Sequence, residues 1–361
     1  MESQSISWKR VLNIGGAFIA FLIGSGFATG QEVLQYFSSY GYMGVLGGIV
    51  TLILLLYVGV SFITVGQQNK FEKGSDIYKY YCGDKLGIFF DYFSILFIYL
   101  SFTVMIAGAG ATFNQHFGLP VYFGGIIMAV LATGTVLFGL NNIVDIIGKI
   151  GPIIVVLSIF LGLVSIFQNV DNLTKVNEVL PTLTLTKAST NWFFAACSYV
   201  GFCMLWLAGF LSSMGATSKS KKEATYGAAG GAIGFSIAVI ILSLGLLARI
   251  EDVAGSLIPT LYLAEGIHPF LATLFSFIIV AGIYTTSVPL LWSVSARFTE
   301  DKSKNFRKLT IVLALIGLVV GIYLPFDKLV NIVYVINGYV GIILLILMVI
   351  KSVRVRTAKK Q

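Results

Sequence analysis

The groups able to do chemistry in this chain are the few ionisable and hydroxyl-bearing residues that interrupt long apolar stretches. Charged side chains at membrane depth are costly, so those present are candidates for binding or proton transfer. Glu32 is the first, closing the run Gly24-Ser25-Gly26-Phe27-Ala28-Thr29-Gly30-Gln31-Glu32. Its carboxylate could bind a substrate amine, ligate a cation or carry a coupled proton. It could equally be held by nearby hydroxyls and backbone in a wet vestibule. Lys149, just before Gly151-Pro152, is the second. A buried Lys can release its proton, or its ammonium can take the place of a sodium ion, whereas Asp145 at i−4 offers a plain intrahelical ion pair. Thr285-Thr286-Ser287 supplies adjacent hydroxyl oxygens, hard ligands suited to sodium, although such hydroxyls often bond carbonyls of their own helix. Tyr99 and Thr103, one turn apart, either face a central cavity or pack. Asp91 reads as an interfacial residue.

Two glycine-bearing stretches suggest places where a helix unwinds. One is Gly24-Ser25-Gly26; the other is Ser198-Tyr199-Val200-Gly201, followed by Cys203. An unwound stretch frees backbone N–H and C=O groups, tolerated at membrane depth only where they line a cavity or bind something. Interrupted segments at matching positions of two halves are a sequence signature of a substrate site. The competing use of glycine is close helix packing, expected for Gly15, Gly16, Gly44, Gly47, Gly48, Gly227, Gly230, Gly231 and Gly234.

These groups must be positioned by helices in a bilayer. The 361 residues are 57% apolar and only 11% charged, less than half the charged share of a soluble domain, roughly 25%. Apolar runs long enough to span number ten, at roughly 10–37, 41–66, 86–113, 119–139, 143–167, 189–214, 224–249, 270–297, 307–325 and 328–351. With the N-terminus cytoplasmic, all but Lys175, Lys187, Arg249 and Lys328 of the 24 Lys and Arg fall inside. Both termini are then cytoplasmic, the tail over 352–361 being basic. The net charge of +8 is thereby explained without nucleic acid. Segment 250–269 reads as a short lid-like helix with loops. Cys82, Cys197 and Cys203 have no metal-binding spacing and read as free thiols.

Ten spans divide into five and five, repeat one covering about 10–167 and repeat two about 189–351, in a single membrane domain. An odd number of spans per half makes the halves inverted. The pattern resembles the amino acid–polyamine–organocation (LeuT-type) superfamily. Within it the first-helix run, Ala107-Gly108-Ala109-Gly110-Ala111, Tyr199-Val200-Gly201-Phe202 and Tyr284-Thr285-Thr286-Ser287 look like the YkvI-type bacterial membrane proteins. Lys149 with Pro152 resembles the fifth-helix Lys of superfamily members that work without sodium. The resemblance implies an all-α membrane protein of ten transmembrane helices, a 5+5 inverted repeat with helices 1 and 6 broken. It implies that Ser25, Gly26 and neighbouring amides receive an anionic group such as a carboxylate. Carbonyls from Tyr199 to Cys203 would receive the ammonium end, and Thr286 and Ser287 would face a sodium position.

The function expected is secondary transport, by alternating access in a bacterial cell membrane, of an amino acid or related small zwitterion or amine. No cofactor is expected beyond sodium or a proton as coupling ion; the partners are a small-molecule substrate and the lipid bilayer. The alternative is a ligand-sensing receptor subunit of the same fold without net transport. An enzyme is disfavoured, because there is no paired-carboxylate motif or His cluster, only His116 and His268. Nucleic-acid binding is not expected, and oligomeric state is not legible.

Overall fold

The computed structural model describes residues 6–138 and 144–358, without the side chains of residues 144–149, 356 and 358. The elements are α1 (Trp8–Leu22), α2 (Ser25–Thr29), α3 (Gln31–Tyr36), α4 (Tyr42–Asn69), α5 (Asp76–Phe117), α6 (Val121–Phe138) and α7 (Val144–Gln168). They continue with α8 (Val170–Val179), α9 (Trp192–Thr217), α10 (Lys221–Leu247), α11 (Ile250–Val253), α12 (Pro259–Ile267), α13 (Pro269–Phe298), α14 (Lys304–Tyr323) and α15 (Phe326–Ala358). Among the described residues nine helices are long and apolar enough to cross a membrane. The tenth span is the one that length alone misses, because it is cut into α1, α2 and α3. The protein is therefore an all-helical, multi-pass membrane protein.

The cuts have local causes. Ile23 and Gly24 are extended, with ψ of 100° and −169°, so α1 stops at Leu22. A new turn starts when the Ala28 N–H reaches back to the Gly24 carbonyl at 3.1 Å. Gly30, at φ 84°, then separates α2 from α3; an L side chain is strained there, and its β-carbon would also meet Thr260 Cγ2 at 2.9 Å.

The sixth span behaves otherwise. α9 is helical without interruption through Ser198-Tyr199-Val200-Gly201, so the second break read from the sequence is absent. Gly201 is used for packing: a β-carbon there would overlap the Gly338 carbonyl and lie 3.1 Å from Ile342 N. Reciprocally, one on Gly341 would overlap Gly201 itself. A continuous helix keeps every backbone group bonded where water is scarce, and the small residue lets α9 and α15 approach. Gly15 does the same against Gly231, whereas Gly16 and Gly230 face open space.

The helix pairings carry the five-plus-five symmetry. Exchanging each span for its counterpart five places on converts the α1–α10 contact into α9–α4, α1–α7 into α9–α15, and α5–α6 into α13–α14. It also converts α5–α14 into α13–α6 and α5–α15 into α13–α7. The α7–α10 contact has its counterpart in Tyr57 Oη and Ser352 Oγ, 2.8 Å apart between α4 and α15. The lid-like helix expected within 250–269 is a cap of two short helices, α11 and α12. The basic tail continues α15 as helix through Ala358.

Candidate functional site

The site is assembled around the break in the first span. Ser25, Gly26, Thr29 and Glu32 are all buried there. Because α3 follows a left-handed turn at Gly30, Glu32 folds back over the start of α2. A β-carbon on Gly26 would overlap Oε1 of Glu32 and lie 2.5 Å from Cγ and 2.7 Å from Cδ. The absence of a side chain at Gly26 is thus what admits the carboxyl. Tyr199 Oη donates to Glu32 Oε2 at 3.2 Å, and Glu32 Oε1 has no hydrogen-bond partner.

α9 supplies the facing wall. Tyr199, Phe202, Cys203 and Trp206 recur at helical spacing on one face and are buried. Tyr199 and Phe202 rings lie 4.9 Å apart, Phe202 stacks on Tyr334 of α15 at 4.8 Å, and Trp206 stacks on Phe97 of α5 at 5.3 Å. Tyr36 closes the ring, 5.3 Å from Tyr199. Tyr334 Oη is turned toward Ser25, and Tyr36 Oη toward Ser198. Along with Glu32 Oε1, the Tyr36 and Tyr334 hydroxyls, Ser198 Oγ and Trp206 Nε1 are buried without partners. Buried polar atoms nearly always find partners, and here five of them cluster without one around a single break.

Access is asymmetric. On the N-terminal side a cavity of about 230 Å³ is lined by Ala17, Phe21, Trp206, Phe210 and Thr286 among others; Trp206 also meets Phe202 of the aromatic wall edge-on at 5.5 Å. On the opposite side, side-chain hydrogen bonds tie the first span to the elements that pack over it. Gln31 Nε2 donates to the Ser256 carbonyl at 2.7 Å, and Gln35 Nε2 to Gln31 Oε1 at 3.0 Å and the Asp327 carbonyl at 2.9 Å. Thr260 Oγ1 of α12 donates to the Ala28 carbonyl at 2.8 Å. Each bond contributes about 1 kcal/mol, so Gln31→Ala combined with Thr260→Val is expected to raise the open population roughly tenfold or more. The native thiol of Cys203 is the reporter. With Cys82 and Cys197 replaced by Ser, its labelling by an impermeant maleimide from that side rises in the double variant; an unchanged rate shows that these bonds do not hold the path shut.

Other residues singled out from the sequence fall elsewhere. Tyr99 donates to the Leu313 carbonyl of α14 at 3.0 Å, and Thr103 to Leu100 of its own helix at 2.7 Å while its backbone abuts Gly321. Both face α14, not the break; Phe97, Val104, Met105 and Gly108, on another face of α5, meet Ser25 or Trp206. Gly201 faces α15, as above. Thr29 Oγ1 is spent on the Gly26 carbonyl at 3.1 Å. The side chain of Lys149 lies outside the described residues. Thr285 and Ser287 donate to the Gly282 and Ile283 carbonyls of their own helix. Thr286 alone reaches the break, donating to the Ile23 carbonyl at 3.1 Å and the Gly282 carbonyl at 3.0 Å. That gathering of two carbonyls and a hydroxyl is the oxygen set here to which a sodium ion could be held. Thr286→Val keeps the shape and removes the link. It is expected to lower stability by about 1–2 kcal/mol and to remove any sodium-dependent rise in the unfolding temperature; a rise that persists places sodium elsewhere.

The sequence does not single out Tyr36, Trp206 and Tyr334 as site residues, and it points to Ser198 and Phe202 only for their backbone. Tyr36 stands one turn beyond Glu32, and the aromatic stripe of α9 has helical spacing, both legible signals; Tyr334 carries none.

With break, aromatic wall and pseudo-symmetric pairing in place, the fold is that of the LeuT-type membrane proteins. The crystal structure of MhsT in complex with L-phenylalanine superimposes with a TM-score of 0.64 at 15% identity, covering 92% of this chain and 87% of that one. A manganese transporter of Eremococcus coleocola gives 0.60 at 16% identity, over 97% and 80%. Mhp1 in its inward-facing conformation gives 0.58 at 14% identity, over 94% and 75%. In sequence the chain is similar to YyaD of Bacillus subtilis (strain 168), 26% identical over 345 residues, 94% of this chain and 96% of that protein. It is also similar to the membrane protein YkvI of the same organism, 24% identical over 336 residues, 90% and 91%, as its motifs led one to expect. No family profile matches the chain.

Proposed function

We propose that the protein is a secondary active transporter of a small solute, an amino acid or a related zwitterion or amine, driven by a proton or sodium gradient. The observation that carries this reading is the buried break at Ile23-Gly24, ringed by orphan polar atoms midway between a closed side and a cavity on the other. Unsatisfied groups at membrane depth are expensive, and a solute that binds them also relieves them. The asymmetry of basic residues supports a cytoplasmic N-terminus, which makes the 230 Å³ cavity the cytoplasmic vestibule and the amide cluster the external gate. Alternating access then consists of loosening Gln31, Gln35 and Thr260 on one side while Trp206 seals the other. The solved structures that share the fold include transporters and one holding L-phenylalanine, which supports the class of cargo. Among the described residues no three His, Cys, Asp or Glu gather as a metal-binding group, so the manganese of one relative in fold finds no support here.

The test is uptake into proteoliposomes of labelled amino acids and amines under imposed sodium and pH gradients. Accumulation that collapses with one gradient supports the reading and names the coupling ion. Binding of a solute without flux under either gradient sinks it.

A further inference from the structure

We infer that the cargo is a compact organic amine bound as its cation and carrying no carboxylate, held by Glu32. The inference deepens the transport reading and rests on it only for the movement of the ligand, not for its binding. Resemblance had assigned the amide end of the first-helix break to a carboxylate from the substrate. That place is already filled by the chain's own: the Glu32 carboxyl lies against Gly26 and beside the Phe27 backbone amide. A substrate carboxylate would have to share it with a second negative charge in a dry site, an arrangement that low dielectric makes unfavourable.

What the site still lacks is the opposite. Glu32 is fully buried, one oxygen is bonded by Tyr199 at 3.2 Å, and the other has no partner. The described side chains gathered around it are Tyr36, Tyr199, Phe202, Cys203, Trp206 and Tyr334, none of them basic. A buried carboxylate without a cation is strongly unfavourable, and an ammonium N–H supplies both charge and donor to Oε1. The remaining features fit the same guest. Aromatic faces attract cations in desolvated sites, and the Tyr36 and Tyr334 hydroxyls and Ser198 Oγ can accept its other N–H bonds. The rings enclose the alkyl part.

The experiment is calorimetric titration of the full-length, detergent-purified protein with matched pairs: ethylamine against alanine, isobutylamine against valine, phenethylamine against phenylalanine. At least one amine is expected to bind at least roughly tenfold more tightly than its amino acid, and Glu32→Gln to weaken it on the order of 100-fold, the scale for removing one member of a buried charge pair. Should Glu32→Gln not purify folded, Tyr199→Phe is the second variant, with a loss of roughly fivefold, the scale of one hydrogen bond. Protection of Cys203 from a thiol reagent by the amine then places it in the chamber. Amino acids binding more tightly than their amines, amine binding indifferent to Glu32→Gln, or no binding by any amine overturns the inference. Amine binding without uptake in proteoliposomes overturns transport but not the amine site. Uptake of valine or phenylalanine with no amine binding does the reverse.

Discussion

Gly26→Ala is expected to destabilise the purified protein by about 2–4 kcal/mol, the scale for displacing a buried hydrogen-bonded carboxyl, and the loss is expected to vanish in a Glu32→Ala background. Within helices, Gly to Ala normally helps by up to about 1 kcal/mol. Here the added methyl would occupy the volume of the Glu32 carboxyl. The carboxyl must leave, which breaks its bond from Tyr199 and strands it in apolar surroundings. Removing the carboxyl first empties that volume, so the second substitution finds room. The quantity to measure is the coupling energy from a double-mutant cycle, by thermal or denaturant unfolding in detergent; contacting residues couple by about 0.5–3 kcal/mol. Additive losses would show that Glu32 does not lie on Gly26, and with that the geometry behind the amine site would fail.

Gly201→Val is expected to cost more than 3 kcal/mol, beyond the usual range of about 1–3 kcal/mol for overpacking, because the clash is with backbone. A side chain can swing away; the Gly338 carbonyl and Ile342 N on α15 move only if two membrane helices part. Parting them also dismantles the chamber wall, since α15 brings Tyr334 against Phe202. Gly230→Ala is the control: no atom lies within 4 Å of its added carbon, and stability is expected to hold or rise slightly. A sixth span that unwound at this point would answer differently, losing ligand binding while tolerating the bulk. An unfolding midpoint unchanged in Gly201→Val would therefore restore the broken sixth helix.

The contrast between Gly26 and Gly201 shows where sequence reading stops. Both glycines lie in apolar runs and immediately precede a phenylalanine. One stands beside an extended Gly24 and lets a carboxyl approach; the other stays in a regular helix and lets a neighbouring helix approach. Nothing local separates the two, since the deciding atoms belong to Glu32 in one case and to α15 in the other. Likewise Tyr99 and Thr103 were a fair pair one turn apart, yet they face α14, while Phe97 and Met105 face the site. A shift of one or two residues around a helix turns a side chain by 100° or 200°, and the apolar composition of α5 marks no preferred face.

Hydropathy, the positions of Lys and Arg, and the Gly24-Ser25-Gly26 run pointed by themselves to a membrane protein of ten spans whose first is interrupted shortly before Glu32. Those are properties of short stretches meeting lipid or water, and no distant partner is needed to read them. Only the tertiary structure decided that the sixth span is whole, that Trp206 lines the cavity and touches the aromatic wall, and that Tyr36, Tyr199 and Tyr334 surround one carboxyl. Inside a bilayer nearly every helix is apolar on all sides, so the pattern that tells a soluble helix which way to face is absent. The facing is set by which small residues let which helices touch.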